Sequence, residues 1–262
     1  MSEDRFHGQA PYRIIAVHGG PGACGELAPV ASELSQNLSV IETLHTKPTI
    51  RGQINELKRA VEAEATIPVI LVGHSWGAWL SLMFAAEYTD RVSKLILIGS
   101  APFAPEYAEQ IGATRLSRMS EDERDEFFRL ERAMEDHEAV GKTEEFQRLA
   151  RLVTRSDAYE PVDEAVDSRD VDYRVDVFQS VWPAARRMRQ NGEILEYLQR
   201  VECPIRAIHG DHDPHPAEGV QKTLEALPVD SRFILLDRCG HAPWLERHAR
   251  DEFFRVLREE LS

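Results

Sequence analysis

The chain has 262 residues, 42% hydrophobic and 29% charged, with a formal net charge of −14 at pH 7. That length suits one large α/β domain, or one domain carrying an insertion, and the apolar share can fill a core, which excludes disorder. The acidic balance repels nucleic-acid phosphates and anionic membranes, so both are set aside as partners and a small-molecule substrate is expected.

The opening residues MSEDRFHGQAPY are polar and lack an apolar run, so they do not read as a secretory signal. No later apolar stretch approaches the length of a membrane span. Cys24, Cys203 and Cys239 are widely separated and form no CxxC pair. They fit reduced thiols in a cytoplasmic protein better than a disulfide framework or a zinc site.

In chain order, residues 12–17 (YRIIAV) predict a buried strand, and 38–44 (LSVIETL) a weaker one. Residues 54–65 (INELKRAVEAEA) carry apolar side chains at helical spacing, and 68–73 (PVILVG) return to a strand. A helix over 79–88 (WLSLMFAAEY) and a strand over 94–99 (KLILIG) follow. After residue 190 the alternation resumes with a strand at 204–210, a helix at 217–227, a strand at 232–237 and a helix at 251–261. Apart from the weaker 38–44 run, the strand runs are rich in Ile, Val and Leu and read as fully buried, which implies a parallel sheet covered on both faces.

The rhythm breaks over residues 101–190, a stretch dense in charge of both signs. Phe127, Leu130 and Met134 share one helical face, and Phe146, Leu149 and Val153 share another. Residues 171–182 (VDYRVDVFQSVW) alternate like a strand, but Val171, Val175, Phe178 and Trp182 also suit a helix, which is preferred here and expected to stop at Pro183. The expected organisation is a core of residues 1–100 and 191–262 with a helical insertion over 101–190.

Gly-x-Ser-x-Gly at residues 73–77 (GHSWG) sits where a strand passes into a helix. A serine in such a sharp turn is held out from the backbone, and the helix behind it favours developing negative charge. This makes Ser75 the candidate nucleophile. The backbone N–H of Trp76 is then one oxyanion donor, while its ring and His74 read as packing. Residues 17–25 (VHGGPGACG) hold four glycines, no Lys-Ser/Thr of a phosphate loop and the wrong spacing for a dinucleotide fingerprint. Gly20 is the candidate for a second oxyanion N–H, and His18 for bracing the loop.

A serine hydroxyl needs a base, and the base an orienting acid. Asp211 and Asp213 both follow the 204–210 strand; Asp213, further into the loop, is preferred, with Asp211 bracing the turn. His241, just past the last strand, is the candidate base. His209, His212 and His215 crowd around these aspartates, but in a proline-containing turn they are expected to point in different directions, so no metal and no cofactor is expected.

These four segments, HGGPG, GHSWG, HGDHD and GHAPWLE, resemble the α/β-hydrolase superfamily over nearly the whole chain, with HGGPG and GHSWG most similar to its proline iminopeptidase-like branch. The resemblance implies a mostly parallel, doubly wound sheet of about six to eight strands with a helical cap over 101–190. It also implies a Ser75–His241–Asp213 triad with oxyanion donors at Gly20 and Trp76. The chain departs from the proline iminopeptidases in lacking their tryptophan-containing cap motifs with amine-binding glutamates. The cap acids, Glu131, Glu135 and Glu160 among them, are expected to be solvated. With only about a dozen residues before the first strand, the antiparallel hairpin that often opens the fold is expected to be short or absent. The expected activity is hydrolysis of a small ester, thioester or amide through an acyl-enzyme. N-terminal prolyl cleavage, acyl-transfer or lyase chemistry, and a binding receptor are the alternatives.

Overall fold

The computed structural model describes residues 4–135, 143–162 and 171–262. Its strands are β1 (Arg5–His7), β2 (Ile14–Val17), β3 (Ala23–Cys24), β4 (Val40–Thr43), β5 (Val69–His74), β6 (Val92–Ile98), β7 (Asp172–Tyr173), β8 (Ile205–Gly210) and β9 (Ser231–Leu236). Seven of them form one sheet in the order β1-β4-β2-β5-β6-β8-β9. All pairs in that sheet are parallel except β1 with β4, where Arg5 faces Glu42 and His7 faces Val40. The opening antiparallel element is thus a three-residue edge strand.

The helices are α1 (Ala28–Leu34), α2 (Ile50–Glu64), α3 (Trp76–Glu87), α4 (Pro105–Ser117), α5 (Glu121–Glu135), α6 (Thr143–Asp157), α7 (Val175–Gln190), α8 (Glu193–Leu198), α9 (Ala217–Glu225) and α10 (Arg250–Leu261). Side-chain alternation along each central strand divides the core in two. Ile15 and Val17 of β2, Leu71 of β5, and Leu95 and Leu97 of β6 join a cluster with α2, α3, α8 and α9. Their neighbours Ile14, Ala16, Val72, Ile96 and Ile98 join a second cluster with α1 and α10 on the opposite face. Successive side chains of a strand point to opposite faces, so a run that is apolar at every position needs helices on both. α3 is buried along 11 of its residues.

The elements correct several sequence expectations. α2 starts four residues earlier than residue 54, because the Thr49 hydroxyl caps it by accepting the Gly52 N–H at 3.0 Å. β9 is not fully buried: it lies at the sheet edge, pairs only with β8 and leaves Leu235 52% exposed. Pro183 does not end its helix. α7 runs through it to Gln190, after the two-residue strand β7 takes the start of the 171–182 segment. A mid-helix proline costs about 3 kcal/mol, and burial of Val177, Val181 and Ala185 in the core offsets it. On its other side, α7 sets Phe178 against a separate cluster of Phe127, Leu130, Met134, Phe146 and Leu149 from α5 and α6. Among the described residues, no helix is long and apolar enough to cross a membrane.

Candidate active site

β2 is followed by a connection to β4 on one side of it, while β5 lies on its other side. Loops leaving the C-terminal ends of β2 and β5 therefore diverge and open a crevice, the usual ligand position in a doubly wound sheet. The loop at residues 18–25 and the turn at Ser75 form its two walls.

Ser75 has φ +51° and ψ −112° and caps α3, with its N–H donating to Ile98 O at 2.9 Å. A positive φ at a residue with a Cβ is strained and is held only by its surroundings. The flanking glycines are required by close approach: a Cβ on Gly73 would lie 2.3 Å from Gly77 O, and one on Gly77 would lie 2.1 Å from Val17 O. Trp76 and the next residues start α3, where N–H groups have no intrahelical acceptor. The Trp76 ring packs inside and donates Nε1 to Gln53 Oε1 at 2.9 Å.

Across the crevice, Gly20 has φ +35°, and its carbonyl accepts the Ala23 N–H at 2.9 Å. Glu26 ties the two walls together: one carboxylate oxygen accepts the Gly19 N–H at 2.7 Å and faces His74 Nδ1 at 3.0 Å. His18 braces the loop through a bond from the His45 N–H to its Nε2 at 3.1 Å. Glu26 is a positioning residue that motif reading missed; its only sequence signal is an acid directly after the glycine loop.

Asp213 is buried in the loop after β8, and Oδ2 accepts His241 Nδ1 at 2.7 Å. Asp211 instead accepts the Cys239 N–H at 3.0 Å and braces the turn. His74, the residue before Ser75, sets Nε2 3.1 Å from His241 O, and the two rings lie 4.7 Å apart. Gly99, at φ +50°, comes so close that a Cβ there would lie 2.7 Å from His241 O. The ends of β5, β6 and β8 and the His241 loop thus converge on one rim.

Two of the three histidines, His209 and His215, turn toward the Asp213 carboxylate rather than diverging. His215 donates both its backbone N–H (2.9 Å) and Nδ1 (2.7 Å) to Asp213 Oδ1, and its ring stacks on His241 at 4.4 Å. His209 Nε2 lies 3.4 Å from Asp213 Oδ2 and 2.8 Å from His215 O. Only His212 turns away, edge-on to Tyr159. The proline turn folds residues 213–215 back on themselves, which spacing alone does not reveal.

Burial opposes the charge on Asp213, but His241, His215 and His209 together outweigh it and hold the carboxyl well below the usual carboxylate range. Burial likewise works against a charged His241, yet Asp213 beside it wins and raises its pKa above 6.5. Burial dominates at His215 and pushes it down to about 4. At neutral pH, His215 therefore gives Asp213 two N–H donors rather than a charge. Donor atoms of Asp213, His215 and His241 lie within 4.8 Å of one another, a spacing a metal ion could use. Both imidazole Nδ1 atoms bond the carboxylate.

The 101–190 segment reaches this rim. Arg115 of α4 grips Asp157 through two bonds of 2.7 and 2.6 Å, and Asp157 O accepts the His241 N–H at 3.0 Å. Among the acids of this segment, Glu160 pairs with Arg247 and His248, each at 2.9 Å. Glu131 is raised by burial and by Glu135.

The fold has many solved counterparts. VinJ aligns at TM-score 0.67 and 18% identity, over 98% of this chain and 93% of its own. An epoxide hydrolase of Bacillus megaterium aligns at 0.66 and 16%, over 99% and 96%. A proline iminopeptidase of Mycobacterium smegmatis aligns at 0.63 and 19%, over 98% and 93%. No curated protein sequence matches. Residues 57–247 match the family described as the alpha/beta hydrolase fold, and the chain belongs to that family.

Proposed function

We propose that the protein is a serine hydrolase of small esters, thioesters or amides, with Ser75 as nucleophile, His241 as base and Asp213 as the orienting acid. The observation that carries this reading is the 2.7 Å bond from His241 Nδ1 to a buried, ionised Asp213, with Ser75 held at φ +51° on a strand-to-helix turn directly after His74, whose ring lies 4.7 Å from that of His241. With Nδ1 committed to Asp213, Nε2 is the nitrogen that takes the Ser75 proton as Oγ attacks the substrate carbonyl. The N–H groups of Gly20 and Trp76 meet the oxyanion, each worth about 3 kcal/mol of the barrier. His241 then protonates the leaving group, an acyl-Ser75 remains, and water activated by His241 releases the acid.

In this reading, the 101–190 segment is a cap that covers the acyl site, and the molecule acts on small substrates in the cytoplasm. The runner-up is release of N-terminal proline; the HGGPG loop supports it, and the missing amine-binding cap motifs weigh against it. Acyl transfer to a nucleophile other than water uses the same groups. Labelling by a fluorophosphonate, abolished in Ser75→Ala, tests the nucleophile, and p-nitrophenyl esters run beside a prolyl amide separate the first two readings. A probe that leaves Ser75 unlabelled overturns the proposal and favours a receptor.

A further inference from the structure

Arg189, in the last turn of α7, is only 8% exposed, and neither Nε nor Nη1 has a hydrogen-bond partner. A guanidinium cannot shed its charge, and burying an unpaired one is costly. No carboxylate among the described residues pairs with it, and Arg186 on the same helix repels it. Its one evident companion is Trp79, whose ring lies 5.5 Å from the guanidinium carbon. Arg115, by contrast, is matched by Asp157 at 2.6 Å.

The position matters as much as the missing partner. Trp79 stands one turn after Ser75 on α3, about 6 Å along the helix axis. Its Nε1 donates to Ala101 O at 3.1 Å, where the chain leaves β6 for the 101–190 segment. Arg189 therefore sits at the joint between that segment and the core, one layer from the serine turn. We propose that Arg189 receives an anionic group, a carboxylate or a phosphate, at the end of the substrate remote from the bond that Ser75 attacks. The planar fork suits either anion bidentately. In a chain of net charge −14, a buried cation with no counter-ion among the described residues is a local reversal of the field that such a substrate would seek. This inference rests on the serine-hydrolase reading and narrows it to acyl or alcohol groups with an anionic tail.

The test compares p-nitrophenyl esters of butyric, valeric and hexanoic acids with the mono-esters of succinic, glutaric and adipic acids, and with one phosphonate-tipped analogue to distinguish the two anions. At the best chain length, the wild-type kcat/KM for the anionic ester should exceed that for its neutral counterpart at least tenfold. Arg189→Met should cut that ratio at least tenfold, and Arg189→Gln should do the same. A ratio unaltered by either substitution, or a wild-type preference for the neutral ester at every length, overturns the proposal. A measurement on the wild-type protein alone guards against misfolded variants: glutarate or adipate should compete with a neutral ester at least tenfold more tightly than butyrate, and equal potency refutes the site. Fluorophosphonate labelling of Ser75 run alongside separates the failures, since labelling with a flat ratio sinks only Arg189, whereas no labelling sinks the hydrolase reading.

Discussion

His215→Phe keeps a ring to stack on His241 and removes the Nδ1 donor at 2.7 Å from Asp213. The lost bond goes to a charged acceptor, a class worth about 1.5–3 kcal/mol, and the lower end applies because the backbone N–H still serves the same oxygen. The variant should therefore be about 1–2 kcal/mol less stable than the wild type at pH 8.

Lowering the pH changes that comparison. His215 takes up a proton near pH 6.5 in the unfolded chain but only at about 4 in the native one. Between those values the unfolded state binds more protons, so native stability falls as the pH drops. From pH 8 to pH 5 this group alone costs the wild type about 2 kcal/mol. The phenylalanine variant has no such cost, so the gap should close or reverse at pH 5. Urea unfolding of both proteins at the two pH values, followed by tryptophan fluorescence, measures it directly. A gap of equal size at both pH values refutes the reasoning, because it would mean that His215 does not stay neutral against Asp213. At pH 8 the same variant should lose about tenfold in kcat/KM, the equivalent of 1.4 kcal/mol, with the loss in kcat if Asp213 is misaligned in the transition state.

Ser75→Ala should lower turnover at least about 10³-fold while leaving the urea midpoint within error, and a smaller loss counts against an acyl-enzyme. The proposed mechanism needs His241 unprotonated and its pKa is raised, so the acidic limb of kcat/KM should lie above pH 6.5; a limb at or below that value contradicts the pairing with Asp213. Glu246, 1% exposed, accepts the N–H groups of Tyr159, Glu160 and Gly240, each at 2.8 Å. Glu246→Gln turns one acceptor into a donor facing donors and should cost about 2–4 kcal/mol in urea unfolding. The Arg189 comparison completes the set.

The central sheet was legible because most positions of β2, β5, β6 and β8 are buried on both faces, which leaves runs rich in Ile, Val and Leu. β9 reads the same way in sequence and yet lies at the edge, since a run of Ile and Leu records what a strand tolerates and not how many neighbours it has. The serine turn was legible for a steric reason: the gap between Gly73 and Gly77 admits no Cβ, so the residue types are forced by the backbone. Asp211 and Asp213 have different partners because a residue at the strand end meets the adjacent backbone, here the Cys239 N–H, whereas one two positions on reaches another loop, here His241. His215 was not legible. Its bonds to Asp213 depend on a proline turn doubling back, a feature of φ and ψ rather than of spacing. Arg189 was hidden for the opposite reason: on a helix crowded with arginines, nothing in the sequence marks the one whose partner is missing.

The 101–190 segment is more than a cover laid over a finished core. Its residues 157–162 run alongside residues 240–247, with Asp157 O accepting the His241 N–H at 3.0 Å. Val162 N–H donates to Leu245 O, Arg247 N–H donates to Glu160 O, each at 2.8 Å, and Pro161 bridges to Glu246. Two of the three N–H groups gathered by the Glu246 carboxylate come from that segment. The loop carrying His241 thus takes its shape from both sides, from β8 through Asp211 and from the insertion through Asp157 and Glu246. Buried backbone groups must be paired somewhere, so a shift of the insertion would leave His241 and Gly240 seeking other partners. If His241 is the base, as proposed, its alignment is tied through main-chain hydrogen bonds to residues 157–162 of that segment.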